Sequence, residues 1–131
     1  MNCYCGKNLD FTICCEPYIK LERRPTSAED LMRSRYSAFC IKNIDYIIAT
    51  TDLQVRFDFD RSGNEAWAQQ AQFQKLEVIN SEEIGNKSVV EFKAYFKIAN
   101  EEHVHHEIGT FRRTDQVWFY RSGRVVPIKG K

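Results

Sequence analysis

The chain has 131 residues and a formal net charge of +1, with 43% hydrophobic, 13% aromatic and 28% charged residues. This length fits one domain with a short appendage, and the composition is that of a globular protein with a packed core. No stretch approaches the ~20 apolar residues of a membrane-spanning helix. The first residues also lack the basic and apolar regions of a signal peptide. We therefore expect a cytoplasmic protein with no membrane partner.

The charges are distributed unevenly along the chain. Residues 43–111 carry an acidic excess, whereas residues 112–131 carry six Lys and Arg against one acidic residue. A nucleic-acid-binding domain usually shows a stronger overall basic excess than this chain does. We therefore expect no nucleic-acid partner, and we interpret the basic C-terminal segment, which includes Lys129 and Lys131, as a solvated strand face and chain end.

Four of the five cysteines, Cys3, Cys5, Cys14 and Cys15, lie within the first fifteen residues. In a reducing compartment, clustered thiols indicate metal binding or reactivity more than disulfides. A Cys-x-Cys turn and a vicinal pair, separated by eight residues, can bring four thiolates around one tetrahedral ion. The sequence therefore predicts a zinc site. Because four thiolates leave no open coordination position, we expect the metal to be structural.

Other states of these cysteines stay open at this point. Disulfides and free thiols are alternatives, although a disulfide between Cys14 and Cys15 would be strained. An iron–sulfur cluster also uses four cysteines, but this spacing matches none of the usual runs. Cys40 falls inside a predicted helix and is expected to be a small core residue.

The rest of the chain predicts helices first and strands afterwards, which is typical of an α+β fold. Thr26 and Glu29 form a capping box that predicts the start of a helix, and Asp45 is expected to cap a second, short one. The predicted helical segments are residues 27–42, 46–48 and 64–72, the last after a turn over residues 61–64. The predicted antiparallel strands are residues 73–81, 89–99, 103–113 and 117–121.

Three stretches of the chain and the cysteine motif carry a family resemblance. Residues 31–39 read Leu-Met-Arg-Ser-Arg-Tyr-Ser-Ala-Phe, with Asp-Tyr-Ile-Ile at 45–48 and Trp-Phe-Tyr at 118–120. This pattern resembles the YchJ family of bacterial proteins, and the N-terminal cysteines resemble the SEC-C zinc motif. The resemblance implies a zinc knuckle over residues 1–18. It also implies a cone-like domain of the nuclear transport factor two type over residues 26–127, with a curved antiparallel sheet wrapped around N-terminal helices.

Domains of this type often hold a pocket between helix and sheet. Arg35 interrupts the apolar stripe of the first helix, and Glu107 shares a strand face with His105 and Phe111. Glu107 is expected to meet an arginine of the helix, either as a general base in a pocket or, as we favour, as a structural ion pair. The candidate pocket residues are Arg33, Arg35, Tyr36 and Glu107.

The three histidines lie on one predicted strand. His103 and His105 point to one face of the strand and His106 to the other. His103 and His105 are candidate metal ligands, but such a pair beside Glu101 and Glu102 is more often part of an exposed strand face.

These observations favour a zinc-containing protein-binding or adaptor module, with the knuckle presenting Tyr4 and Lys7 to a protein partner. The alternative is an enzyme or carrier that binds a small molecule in the cone pocket. A third interpretation is that the knuckle only fixes the N-terminus to the domain. The sequence does not decide whether the protein is an enzyme, because a fold of this kind serves both classes.

Overall fold

The computed structural model describes residues 1–127, so Lys129 and Lys131 lie outside the described residues. Helices precede strands, as predicted. The described elements are two 3₁₀ turns (Phe11–Ile13 and Arg56–Asp58), the helices α1 (Glu16–Ile19), α2 (Ala28–Cys40), α3 (Ile44–Ala49) and α4 (Arg61–Gln70), and the strands β1 (Gln72–Ile84), β2 (Lys87–Ile98), β3 (Glu101–Thr114) and β4 (Val117–Val125). Within residues 1–127, none of the helices has the length and apolar character needed to cross a membrane.

The four strands form one antiparallel sheet in which each strand pairs with the next along the chain. Two-residue turns close all three hairpins. Register shifts interrupt the pairing of β1 after Phe73 and Val78, and that of β3 after Thr110. Such bulges bend a strand and increase its twist, which curves the sheet. The predicted curved antiparallel sheet wrapped around N-terminal helices is confirmed.

The core lies between the concave face of the sheet and α2. One face of β2 is buried along most of its length, through Ser88, Val90, Phe92, Ala94 and Phe96. Leu31 and Ala38 of α2 and Phe111 of β3 have no solvent-exposed surface. Because both layers bury their apolar faces against each other, the hydrophobic effect fixes the position of α2 across the sheet.

The first long helix begins one residue later than predicted. Ser27, not Thr26, is its N-cap: Ser27 Oγ accepts a hydrogen bond from Asp30 N at 3.1 Å. The helix also ends at Cys40 and not at Lys42. Two adjacent residues with hydroxyl side chains both satisfy the capping pattern, so the sequence alone does not fix the position of the cap.

We expect Ser27→Ala to lower the free energy of unfolding by about 1 kcal/mol, since it leaves an amide at the helix N-terminus without its partner. Thr26→Ala, one residue away at an exposed position, is the matched control. Its effect should stay within about 0.5 kcal/mol. Urea unfolding of both variants measures the difference, and equal losses would contradict Ser27 as the cap.

The other two helices also begin at different residues from those predicted. Asn43, not Asp45, caps α3, because Asn43 Oδ1 accepts from Tyr46 N at 3.1 Å. Asp60 caps α4 by accepting from Gly63 N at 3.0 Å, so the predicted turn at residues 61–64 is the first turn of that helix. Asp and Asn are equally good at caps and in turns, which explains both errors.

Candidate metal centre and ligand pocket

The four N-terminal cysteines meet in space. Cys3, Cys5, Cys14 and Cys15 are buried, and their sulfur atoms all lie within 4.8 Å of one another. Cys3 N donates to Leu9 O at 2.7 Å and closes a small hairpin, while Gly6 turns the chain directly after Cys5 with a φ of +88°. A residue with a side chain is strained at that φ, so glycine suits the turn.

The protonation of the four cysteines explains why this cluster suits a metal ion. Hydrogen bonds from Cys15 and Cys5 hold the pKa of the Cys3 thiol below its usual range. Burial raises the pKa of Cys14 to about 12, and the hydrogen bond with Cys3 raises that of Cys15. Four thiolates so close together repel one another, and a divalent cation removes that repulsion. The donor set therefore fits a soft, tetrahedrally coordinated metal ion.

Three contacts join the cysteine segment to α2. Arg33 Nη1 donates to Cys5 O at 2.7 Å, and Lys7 Nζ lies 2.7 Å from Asp30 Oδ1. The side chains of Cys3 and Ser37 lie 3.6 Å apart. The cysteine segment thus packs on the outer side of the same helix that lines the pocket.

Arg33 was expected in the pocket, and this expectation is wrong. Besides Cys5 O, its guanidinium binds Glu29 Oε2 at 3.0 and 3.1 Å, at the cysteine cluster. Arg35 does line the pocket. Residues two apart on a helix point to different sides, so the two arginines cannot share one face.

A cavity of about 460 Å³ lies between α2, α4 and the sheet. Its wall is mainly aromatic. The aromatic residues are Tyr36, Phe39, Phe59, Trp67, Phe73, Phe92, Phe96 and Tyr120. Trp67 packs edge-to-face on Phe39, Phe73 and Phe96, with ring centres 5.0–5.3 Å apart. Such contacts make a rigid wall, and the cavity volume is typical of small-molecule sites.

Arg35 is the buried cation of this cavity, with 6% of its surface exposed. Its Nη1 donates to Ile47 O at 3.0 Å and Thr50 Oγ1 at 2.7 Å, and its guanidinium carbon lies 4.5 Å from the ring centre of Tyr120. Burial lowers the pKa of Arg35 to about 10, so the side chain stays charged at neutral pH. Its Nε and Nη2 form no hydrogen bond with the described residues.

Glu107 is the buried acid of the cavity. Its Oε1 lies 2.7 Å from His105 Nε2, and its Oε2 accepts from the Tyr120 hydroxyl at 2.7 Å. Burial raises the pKa of Glu107, but these hydrogen bonds lower it more, so the net shift is downward and the carboxylate is ionised at neutral pH. The expected ion pair of Glu107 with Arg33 or Arg35 does not form within residues 1–127.

Two glycines make room for this arrangement. Gly109 on β3 pairs with Gly123 on β4. A Cβ atom at Gly123 would overlap the Glu107 carboxylate and the Tyr120 hydroxyl. Glycine inside a strand often marks such a close approach. The sequence did not predict Tyr120, His105 or Trp67 as pocket residues. The glycine pair was the one signal in the sequence that could have indicated the close approach of Tyr120.

The other two histidines, His103 and His106, are not part of the cavity wall. His106 Nε2 lies 2.7 Å from Glu91 Oε2 on the opposite face of the sheet, and His103 stacks on Phe96 with ring centres 5.4 Å apart. Within the part of the chain that the structure describes, the four cysteines are the one group of three or more His, Cys, Asp or Glu side chains close enough to hold a metal ion.

The fold and the site define a class of protein: a cone-like α+β domain with an N-terminal cysteine cluster that suits a metal ion. Comparison with known families agrees with this: the model described as the middle, NTF2-like domain of YchJ matches residues 27–123. The chain belongs to the YchJ family. A UPF0225 protein of Actinobacillus succinogenes is 37% identical over 125 residues, covering 94% of this chain and 81% of the relative.

Two solved structures are similar over nearly the whole chain. The solution structure of a SEC-C motif protein from Rhodopseudomonas palustris has 40% identity and a TM-score of 0.91, covering 97% of this chain and 100% of the other. The crystal structure of a SEC-C motif protein from Psychrobacter arcticus has 30% identity and a TM-score of 0.83, covering 99% of this chain and 85% of the other.

Proposed function

We propose that this protein binds a small, largely apolar molecule in its cone pocket, and that its four N-terminal cysteines hold a zinc ion with a structural role. One observation carries the pocket function: an aromatic cavity of about 460 Å³ surrounds the buried Arg35, two of whose guanidinium nitrogens form no hydrogen bond with residues 1–127. These two nitrogens keep contact with the cavity, since Trp118 Nε1 is the one fully buried side-chain nitrogen or oxygen without a partner within residues 1–127. They can therefore donate to an oxygen-bearing ligand that enters the cavity.

The charges of the pocket favour a ligand without net charge. Arg35 and Glu107 are the buried charged side chains of the cavity and have opposite charges, so neither an anion nor a cation meets a buried surplus of the opposite sign. Asp58 and Asp60 also line the cavity, but at exposed positions. The aromatic rings favour a planar molecule, whose faces pack on them. A planar, uncharged compound with one oxygen acceptor satisfies all three features of the cavity.

Zinc is the metal that this donor set favours most, because borderline-soft Zn²⁺ prefers thiolate ligands in tetrahedral geometry. Cys3, Cys5, Cys14 and Cys15 would hold it, and the ion would neutralise part of their charge and fix the N-terminal hairpin on α2. A cytoplasmic location is part of this proposal, since thiols stay reduced there.

The adaptor function stays a prediction. The two side chains proposed to meet a protein partner both make internal contacts: Tyr4 packs edge-to-face on Phe11 at 5.4 Å, and Lys7 binds Asp30 at 2.7 Å. These contacts support a knuckle that fixes the N-terminus, and the division of the chain into residues 1–18 and 26–127 remains part of the proposal.

Nile red, a planar and uncharged dye with one carbonyl group, tests the pocket. We expect the dye to bind one site per chain with a blue-shifted emission, because the cavity is apolar. Ala94→Trp should abolish binding by filling the cavity that Ala94 lines. Lys93→Trp is the matched control, since Lys93 precedes Ala94 on β2 and its side chain points to the opposite face of the sheet.

Thermal unfolding must show that both variants are folded, since partly folded states also bind apolar dyes. Equal dye binding by the two tryptophan variants would place the dye elsewhere and contradict the proposal. Absence of binding by the unmodified protein would contradict it as well.

A further inference from the structure

Two neighbouring histidines of β3 each pair with a carboxylate, one on each face of the sheet; the first carboxylate lies on β3 and the second on β2. His105 pairs with Glu107 and His106 pairs with Glu91, each with an N–O distance of 2.7 Å. The first pair lines the cavity, and the second is not part of its wall. Neighbouring histidines of one strand thus pair with a carboxylate, His105 in the pocket wall and His106 outside it.

The hydrogen bonds of Glu107 fix the tautomer of His105. An ionised carboxylate only accepts hydrogen bonds, so His105 Nε2 must carry the proton that is donated to Oε1. In the neutral imidazole, the lone pair then lies on Nδ1. No hydrogen bond within residues 1–127 engages that atom. A carboxylate that orients an imidazole in this way also stabilises the imidazolium formed when the ring takes up a proton.

The surroundings of His105 belong to the cavity. Its ring centre lies 6.4 Å from that of Trp67 and 6.1 Å from that of Phe92, and its side chain is 33% exposed. A planar ligand packed on the aromatic wall therefore lies next to the imidazole. Arg35 lines the same cavity with two nitrogens free to donate.

We propose that His105 is a general base that removes a proton from carbon in a small, planar, uncharged substrate, with Glu107 as its positioning residue and Arg35 as the group that stabilises the oxyanion formed. The substrate class is a carbonyl compound in which loss of a C–H proton gives a carbanion conjugated with the carbonyl group. This inference rests on the proposed ligand-binding function and adds a chemical reaction to it.

The reaction needs no oxidant, reductant or second substrate. A C–H bond of the substrate breaks, a bond between that hydrogen and His105 Nδ1 forms, and the electron pair moves to the carbonyl oxygen. The resulting enolate lies beside the Arg35 guanidinium, where opposite charge stabilises it. The proton then returns from Nδ1 to a different carbon of the same molecule, so the overall reaction is an isomerisation.

A nitrobenzisoxazole is a suitable probe, because it is planar, uncharged and has one acidic C–H bond. When a base removes that proton, the ring N–O bond breaks and releases a coloured cyano-nitrophenolate. The zinc-loaded full-length protein should accelerate this reaction with saturation kinetics. His105→Gln should lower kcat/KM by about 100-fold or more, the usual contribution of a general base. His106→Gln, the matched control at the other imidazole, should leave the rate unchanged.

Glu107→Gln distinguishes positioning from a structural role. The amide side chain does not enforce the Nε2–H tautomer and does not stabilise an imidazolium, so we expect a loss of kcat with an unchanged KM. A purely structural role predicts weaker probe binding and a lower melting temperature, with no selective loss of kcat. This variant keeps the inference testable if His105→Gln does not fold.

Two outcomes would overturn the inference. Equal rates for His105→Gln and His106→Gln would show that the imidazole in the pocket is not the base. If the protein binds Nile red but does not accelerate the elimination, the general base is contradicted while the ligand-binding function stands. If the protein neither binds the dye nor accelerates the elimination, both proposals fail together.

Discussion

Replacing Cys14 and Cys15 together by Ser is expected to remove one zinc ion per chain and to release the cysteine segment from α2. Four thiolates bind structural zinc with an apparent free energy of about 10–16 kcal/mol in isolated zinc-finger peptides, and hydroxyl groups are far poorer ligands. The sulfur atoms of this cluster are buried in the hydrophobic core. Loss of the metal therefore exposes a part of the core that α2 shares.

Native mass spectrometry and hydrogen exchange measure the two parts of this result. The unmodified protein should carry one zinc ion, and the double variant none. Amide protection should fall in residues 1–24 and persist in β2 and β3, which pair with each other over the whole length of β2. Cys40→Ser is the control, because this thiol lies outside the cluster and should leave the metal in place. A freshly reduced protein without metal, or a double variant that keeps it, would contradict the zinc site.

Phe111→Ala is expected to lower the free energy of unfolding by about 3–5 kcal/mol. Phe111 is 0% exposed in the core, and its ring packs edge-to-face on Tyr120 with centres 5.5 Å apart. Removing it leaves a cavity that the rigid sheet and helix cannot close. Tyr120 donates a hydrogen bond to Glu107 in the pocket. The variant should therefore also weaken this hydrogen bond and reduce dye binding.

Urea unfolding tests this expectation, with a lower midpoint and an unchanged slope. Phe57→Ala is the matched control, because the Phe57 side chain is 86% exposed and makes little core contact. Its effect should stay within about 0.5 kcal/mol. A loss below about 1 kcal/mol for Phe111→Ala would show that the core repacks around the missing ring.

Much of the fold was predictable because its signals are local. The cysteine spacing predicted the cluster without any knowledge of the sheet, and strand alternation placed Glu107 on the same face as Phe111. The errors arose where a local signal had two solutions. Thr26 and Ser27 both fit an N-cap, and only the packing of α2 selects between them.

The composition of the pocket could be predicted only in part. Arg35 was conspicuous because it interrupted an apolar stripe, but Arg33 was grouped with it although helix geometry turns the two side chains apart. Tyr120 reaches Glu107 only because β4 pairs with β3 in the observed register. Trp67 reaches the wall from α4, which precedes the sheet. Such contacts depend on tertiary packing, which a single sequence does not encode locally.

The two sites differ in the part of the chain that builds them. The four clustered cysteines and the three contacts that join their segment to α2 lie within residues 3–37. The pocket, in contrast, needs Tyr120 from the last strand. During synthesis, the N-terminal residues leave the ribosome before the later ones. A metal ion held as proposed would therefore need no residue of the sheet as a ligand, and the nascent chain could bind it before the strands have been made. The pocket, by contrast, is complete only when β4 has paired with β3.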